Sequence, residues 1–250
     1  MENNWFSKYR LAHRGLHNEK YPENSLGAFE NAIKHKLAIE LDVRLLKDGT
    51  IVIMHDSNIL RMCGVNKNLA DMYEYELSEM FLNKTKYNIP TLKEVLELVN
   101  GKVPLMIELK PIRHNKKHIL EKSVYELIKD YKGDIAVKSF HPLSMLWFKK
   151  NAPEITRGML GSYFEHTHLP KLYKNIIKKM SFYSLIKPHF ISYDFRYLPN
   201  KYVKKKNVPI VAWTITSEKL EEEALKFADT VVFENYIPSS PIIEDKKATK

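Results

Sequence analysis

The sequence predicts an α/β chain folded as a closed (β/α)8 TIM barrel with a small insertion after the second strand. Three observations carry that expectation. Short apolar runs alternate with helical patterns, as parallel βα units require. Eight such runs fit into 250 residues, a length at which barrels of this kind commonly form one domain. No glycine-rich nucleotide loop follows a strand, which argues against an open doubly wound sheet.

The predicted strands are residues 10–13, 38–42, 104–109, 135–139, 155–160, 189–193, 209–214 and 230–233. Most segments between them read as helices. Leu26, Phe29, Ala32 and Ile33 recur at helical spacing within 24–35. Thr91 opens a second helix with Leu92, Val95, Leu96 and Val99, and Glu94 completes a capping box. Ile119, Leu120, Val124, Leu127 and Ile128 mark a third within 118–128. One connection differs. Val43 to Leu46, an Asp48-Gly49 turn, and Thr50 to Asp56 read as a β-hairpin that returns His55 beside Leu41 and Asp42. No clear helical period follows until Pro90. Residues 43–90 are therefore read as an insertion on the C-terminal rim of the barrel, within a single domain spanning 1–250.

A hydrophobic content of 44% and a charged content of 28% exclude general disorder. Cys63 is the single cysteine, so no intrachain disulfide or cysteine zinc site forms. No apolar run approaches the ~20 residues that span a bilayer. The start, Met1-Glu2-Asn3-Asn4, has no apolar core, so no signal peptide is expected and the cytoplasm is the expected compartment. A net charge of +10 points to anionic partners or to a lysine-rich solvated surface. No aromatic-basic recognition motif accompanies it, so no nucleic acid is expected.

The chemistry-bearing residues gather at predicted strand ends. His13-Arg14 offers a proton-transfer group beside an anion clamp, although the pair alone reads equally as an ordinary loop. Glu40 and Asp42 share one side of a strand, where they suit a hard divalent ion or stand as solvated acids. Glu108-Leu109-Lys110 adds a third carboxylate and a second cation, or forms a strand-end salt bridge. The hairpin returns His55-Asp56 to the same place, where acid/base work is favoured because carboxylates already suit the ion. Arg14 and Lys110 have no obvious structural partner in the sequence. Two histidines, three acids and two cations together suit hydrolysis of a phosphodiester. No Gly-x-Ser-x-Gly nucleophile motif competes with that reading.

These motifs resemble the glycerophosphodiester phosphodiesterase family of barrel-fold, phospholipase-C-like enzymes. The match runs through His13-Arg14-Gly15, Pro22-Glu23-Asn24-Ser25, Glu40-Leu41-Asp42-Val43, Lys47-Asp48-Gly49 and His55-Asp56. It continues with Ile89-Pro90-Thr91-Leu92, Glu108-Leu109-Lys110, Ser139-Phe140 and Trp213-Thr214. The resemblance implies Glu40, Asp42 and Glu108 as ligands of one divalent cation, Mg2+ or Ca2+. It implies His13 and His55 as the catalytic pair and Arg14 and Lys110 as phosphate contacts. The implied reaction converts a glycerophosphodiester to glycerol 3-phosphate and an alcohol. Lysophospholipase-D-like activity and a catalytically silent binding protein on the same fold are the alternatives.

The C-terminal third departs from the family pattern. Thr216 stands where the family usually has Asn, and Ser25 where it has Thr. The last strand leads into Phe233-Glu234-Asn235 in place of the usual Thr-Asp or Thr-Asn. Trp213, at a strand end, is expected to line the substrate pocket. Leu169, Leu172, Tyr173, Ile176, Ile177 and Met180 form an apolar stripe beside Lys171, Lys174, Lys178 and Lys179. It reads as the core face of a barrel helix, with contact to an anionic membrane as the alternative.

Overall fold

Period-two alternation decides which side chains fill the barrel. The structure is a computed structural model that describes residues 4–111, 117–165 and 167–243. Its strands are β1 (Leu11–His13), β2 (Ala38–Leu45), β3 (Ile51–Ile53), β4 (Leu105–Leu109) and β5 (Ile135–Ser139). They continue as β6 (Thr156–Gly161), β7 (Phe190–Asp194), β8 (Ile210–Ile215) and β9 (Thr230–Phe233). All but β3 pair in parallel, and β1 pairs with both β2 and β9, which closes the barrel. β3 pairs antiparallel with the far end of β2 and forms the expected hairpin.

Along each strand, one set of residues faces the helices and the other faces inward. Ile39, Leu41, Leu105, Ile107 and Val137 join the large core beneath the helices. Leu11, Ala38, Met106, Ala136, Phe190, Val211 and Val232 form the inner layer, which Trp5 and Phe6 plug from below. The Phe6 and Phe190 rings stand 5.0 Å apart. Advancing two residues along the same strands brings His13, Glu40, Glu108, Lys138 and Trp213 to the opposite rim. The apolar floor thus dictates a polar top.

The helices are α1 (Leu26–Lys34), α2 (Leu60–Cys63), α3 (Leu92–Val99), α4 (Ile119–Ile128) and α5 (Pro142–Asn151). α6 (Lys171–Lys178), α7 (Tyr183–Ile186) and α8 (Glu218–Ala224) complete them. Ser25 Oγ accepts from the Ala28 amide to cap α1. The expected box between Thr91 and Glu94 caps α3. The β7–β8 crossover lacks an α-helix. It uses a 3-10 turn at Phe195–Tyr197 and a turn in which Asn200 accepts from the amides of Tyr202 and Val203. Pro199 denies that stretch a helical amide donor.

Residues 46–90 carry a second small core. Leu46, Val52, Met54, Ile59, Met62, Leu69, Met72, Leu77, Leu82 and Ile89 bury one another. Short helical turns supply them, which explains the missing helical period. The stripe at 169–180 is corrected in part. Ile177 and Met180 are buried, but Leu172 is 74% exposed. Among the described residues, no helix is long and apolar enough to cross a membrane.

Candidate active site

The C-terminal rim brings the predicted site residues together. His13, Arg14, Glu40, Asp42, His55, Glu108, Lys110 and Trp213 line one cavity of about 100 Å3. Glu40, Asp42 and Glu108 are buried, and one carboxylate oxygen from each lies within 4.8 Å of the others. Among the described residues, no other trio of His, Cys, Asp or Glu gathers this way. Three buried oxygen donors fit a hard divalent cation. Asn24 Nδ2 supports the set by donating to Asp42 Oδ2 at 3.0 Å.

Cations already stand against these acids. Lys110 Nζ lies 2.6 Å from Glu108 Oε1 and 3.1 Å from Asp42 Oδ1. Burial works against the Lys110 charge, and Asp42 and Glu108 override it, so its pKa rises. Burial likewise opposes the Asp42 charge, yet Lys110, His55 and Arg14 hold its carboxyl well below the usual range. Arg14 Nη1 donates to Glu23 Oε1 at 2.7 Å, and Arg14 Nε lies 3.5 Å from Asp42 Oδ2. Both cations therefore have structural partners, contrary to the sequence reading. Gly15 follows Arg14 with φ +81°, and a Cβ there would meet Ala28 and Phe29 at 2.9 Å. Glycine is what lets β1 turn so closely over α1.

A carboxylate orients each histidine. His13 Nδ1 donates to Glu234 Oε2 at 2.6 Å. An ionised carboxylate only accepts, so a proton sits on Nδ1, and in the neutral ring Nε2 carries the free lone pair. His55 Nδ1 makes the same bond to Asp56 Oδ1 at 2.7 Å. Arg44 donates twice to the His55 carbonyl, at 2.8 and 2.6 Å, which pins its backbone. Burial and the neighbouring Lys110 push the His55 pKa down. The hydrogen bond from His13 and the nearby His17 ring, 3.8 Å away, push the Glu234 carboxyl well below its ordinary value.

Several of these residues carried no role in the sequence reading. Glu234 lies where the chain departs from the family pattern, and that departure was the available signal. Arg61 donates to both Glu23 and Asp56, so one insertion residue ties the partner of Arg14 to the partner of His55. Lys138 follows Ala136 on the inner side of β5, where period two could have found it. Phe140 stands 5.7 Å from Trp213, ring to ring. Tyr193 is fully buried and donates to the Lys178 carbonyl, away from the cavity.

A second groove, of about 500 Å3, adjoins the cavity. The two share Glu108, Lys110 and Phe140. Phe164, Leu169, Pro170 and Tyr173 extend the groove toward α6.

Comparison with known proteins accords with this geometry. A glycerophosphodiester phosphodiesterase of Bacillus altitudinis is 37% identical over 190 residues, which is 71% of this chain and 75% of that one. Its counterpart from Caldanaerobacter subterraneus is 31% identical over 230 residues, 86% of this chain and 89% of that one. A solved phosphodiesterase of Oleispira antarctica, in complex with the product sn-glycerol-3-phosphate, shares the fold. Its TM-score is 0.75 at 24% identity, covering 92% of this chain and 94% of that one. The sequence model of the glycerophosphoryl diester phosphodiesterase family matches residues 13–245, from the first rim histidine to beyond β9. On that match the chain belongs to the glycerophosphoryl diester phosphodiesterase family, a family of hydrolases.

Proposed function

We propose that the chain hydrolyses glycerophosphodiesters to glycerol 3-phosphate and an alcohol, with one divalent cation, Mg2+ or Ca2+, held by Glu40, Asp42 and Glu108. The observation that carries this reading is the meeting of two carboxylate-oriented histidines with three buried acids in one cavity. When bound, the ion polarises a phosphoryl oxygen as a Lewis acid. Arg14 and Lys110 contact the non-bridging oxygens and offset their charge. His13 Nε2 accepts the proton of the attacking hydroxyl, in the first step the 2-hydroxyl of the glycerol. That oxygen bonds to phosphorus as the bond to the alcohol breaks, and His55, which enters this step as the imidazolium with a proton on each ring nitrogen, delivers its Nε2 proton to the departing alkoxide. In the second step His55 takes a proton from water, the water opens the cyclic phosphate, and His13 returns its proton to the 2-oxygen. Trp213 lines the cavity, with an indole N–H that has no partner among the described residues. Cys63, the single cysteine, suits a reducing compartment, and the proposal sets the reaction in the cytoplasm.

The test is a panel of glycerophosphodiesters assayed with and without Mg2+, Ca2+ and Mn2+. Glycerol 3-phosphate release that stops on chelation and returns with the ion is the expected result. Full activity after exhaustive chelation would sink the metal role, and binding without turnover would leave a binding protein.

The apolar groove favours a second reading, in which one acyl chain of a lysophospholipid lies along Phe164, Leu169 and Tyr173. Exposed Leu172, with Lys171 and Lys174 on α6, would meet an anionic membrane at the groove mouth. Leu169→Asp should then lower kcat/KM for lysophosphatidylcholine at least tenfold and leave glycerophosphocholine nearly unchanged, about the effect of losing a few methylene contacts. Equal losses on both substrates would remove this reading.

A further inference from the structure

Lys138 is a charged side chain in a place that ordinarily excludes charge. It lies on the inner face of β5, is 2% exposed, and pairs in register with Glu108. Its Nζ stands 2.9 Å from Glu40 Oε1 and 3.9 Å from Glu108 Oε2. A buried ammonium is stable only where anions surround it. Glu40 is affected in return. Burial opposes its charge, and Lys138 together with His13 outweighs burial and holds the carboxyl below its ordinary value.

The charges around the site nearly cancel before any ion enters. Glu40, Asp42 and Glu108 bring three negative charges. Lys110, Lys138 and Arg14 bring three positive ones within 4.0 Å of those carboxylates. Arg14 is shared with Glu23, so a divalent cation would enter a cluster with little net negative charge to offer, beside an ammonium that shares two of its ligands. A phosphodiester anion restores the attraction. Without Lys138 the same three acids would carry an excess negative charge.

We infer that Lys138 is a built-in counter-ion of the metal site. It keeps the acids paired when no divalent ion is present, weakens binding of the ion alone, and makes ion and phosphate ester bind cooperatively. This rests on the reading of Glu40, Asp42 and Glu108 as metal ligands. Lys138 lines the cavity and its ion pairs are to Glu40 and Glu108, so its role here is that of a positioning residue acting through those two acids.

The experiment titrates Mn2+ calorimetrically into metal-stripped wild type, Lys138→Met and Glu108→Gln, with and without glycerol 3-phosphate. Lys138→Met should bind Mn2+ alone at least tenfold tighter than wild type, and glycerol 3-phosphate should improve its Mn2+ affinity less. Stripped Lys138→Met should melt below stripped wild type, and Mn2+ should restore it. If the stripped variant is too unstable to titrate, both proteins are purified with Mn2+ and challenged with chelators of graded strength. Lys138→Met then has to retain its ion against the stronger chelator. Equal or weaker Mn2+ binding by Lys138→Met, in either format, overturns the inference while leaving the metal site in place. Mn2+ binding that Glu108→Gln does not reduce, or no Mn2+ binding to wild type with glycerol 3-phosphate present, overturns the metal site and the inference together.

Discussion

His13 and His55 are chemically equivalent on paper, and their carboxylate partners make both Nδ1-protonated. Position separates them. His13 ends a barrel strand, whereas His55 sits on the insertion, where a departing alcohol would leave. A nitrophenyl leaving group needs no protonation. A nitrophenyl ester that keeps the glycerol 2-hydroxyl should therefore largely restore the first step in His55→Ala and not in His13→Ala. The reverse pattern would swap the two roles. Lys110→Met should lower kcat/KM by about a hundredfold or more, as expected for losing a charge-stabilising donor. A loss under about threefold would make Lys110 a structural residue. Glu234 predicts a pH effect. Its carboxyl is held low by the bond from His13 and the nearby His17, so it stabilises the fold above its unfolded pKa of roughly 4.3. That contribution fades as pH falls through the depressed folded value. Glu234→Gln should melt below wild type at pH 7, and the gap should close as the solution becomes strongly acidic. A gap that widens on acidification would contradict the assignment.

At the scale of elements, stability and activity separate. Thr91 caps α3 far along the chain from either histidine, and its box satisfies two amides at the helix start. Thr91→Ala should cost about 1 kcal/mol of stability and leave the activity of folded molecules unchanged. Arg61 on α2 does the opposite. Its side chain is 48% exposed, so its ion pairs add little to stability. It nevertheless holds Glu23 and Asp56 together, and through them Arg14 and His55. Misplacing such groups by an ångström can cost about a hundredfold in rate. Arg61→Ala should lower kcat at least tenfold with little change in melting temperature. Similar losses in both quantities would mean that the insertion needs Arg61 to fold.

For the whole molecule, ligands that bind only the folded state raise its stability by mass action. Glycerol 3-phosphate with Mg2+, at 100 times its dissociation constant, should add about 2.7 kcal/mol. For a chain of 250 residues that corresponds to a rise of roughly 5–11 °C in melting temperature. The near-cancellation of charge at the rim adds a condition. Mg2+ alone and glycerol 3-phosphate alone should together raise the melting point by less than the pair added at once. Additive shifts would mean that the two sites do not interact.

The barrel was legible because burial imposes a period on every strand. The runs at 38–42, 104–109 and 135–139 are short, apolar and strand-sized, and the structure adds or removes only a few residues at their ends. Capping chemistry at Thr91 and the Asp48-Gly49 turn are local, so α3 and the hairpin could be read directly. The same local hairpin carries His55 back to Asp42. Contacts between distant segments have no such marker. Glu234 reaches His13 across 221 positions, and Lys138 reaches Glu40 across two strands, because closing the barrel sets β9 beside β1 and curves β5 toward β2. The insertion hid its helices because their apolar residues face a small separate core from several short turns, with no sustained period. Residue identity and spacing thus determined the fold class and the chemical inventory of the rim. Only barrel closure decided which charge faces which, since electrostatic partners are chosen by distance in space and the sequence records distance along the chain.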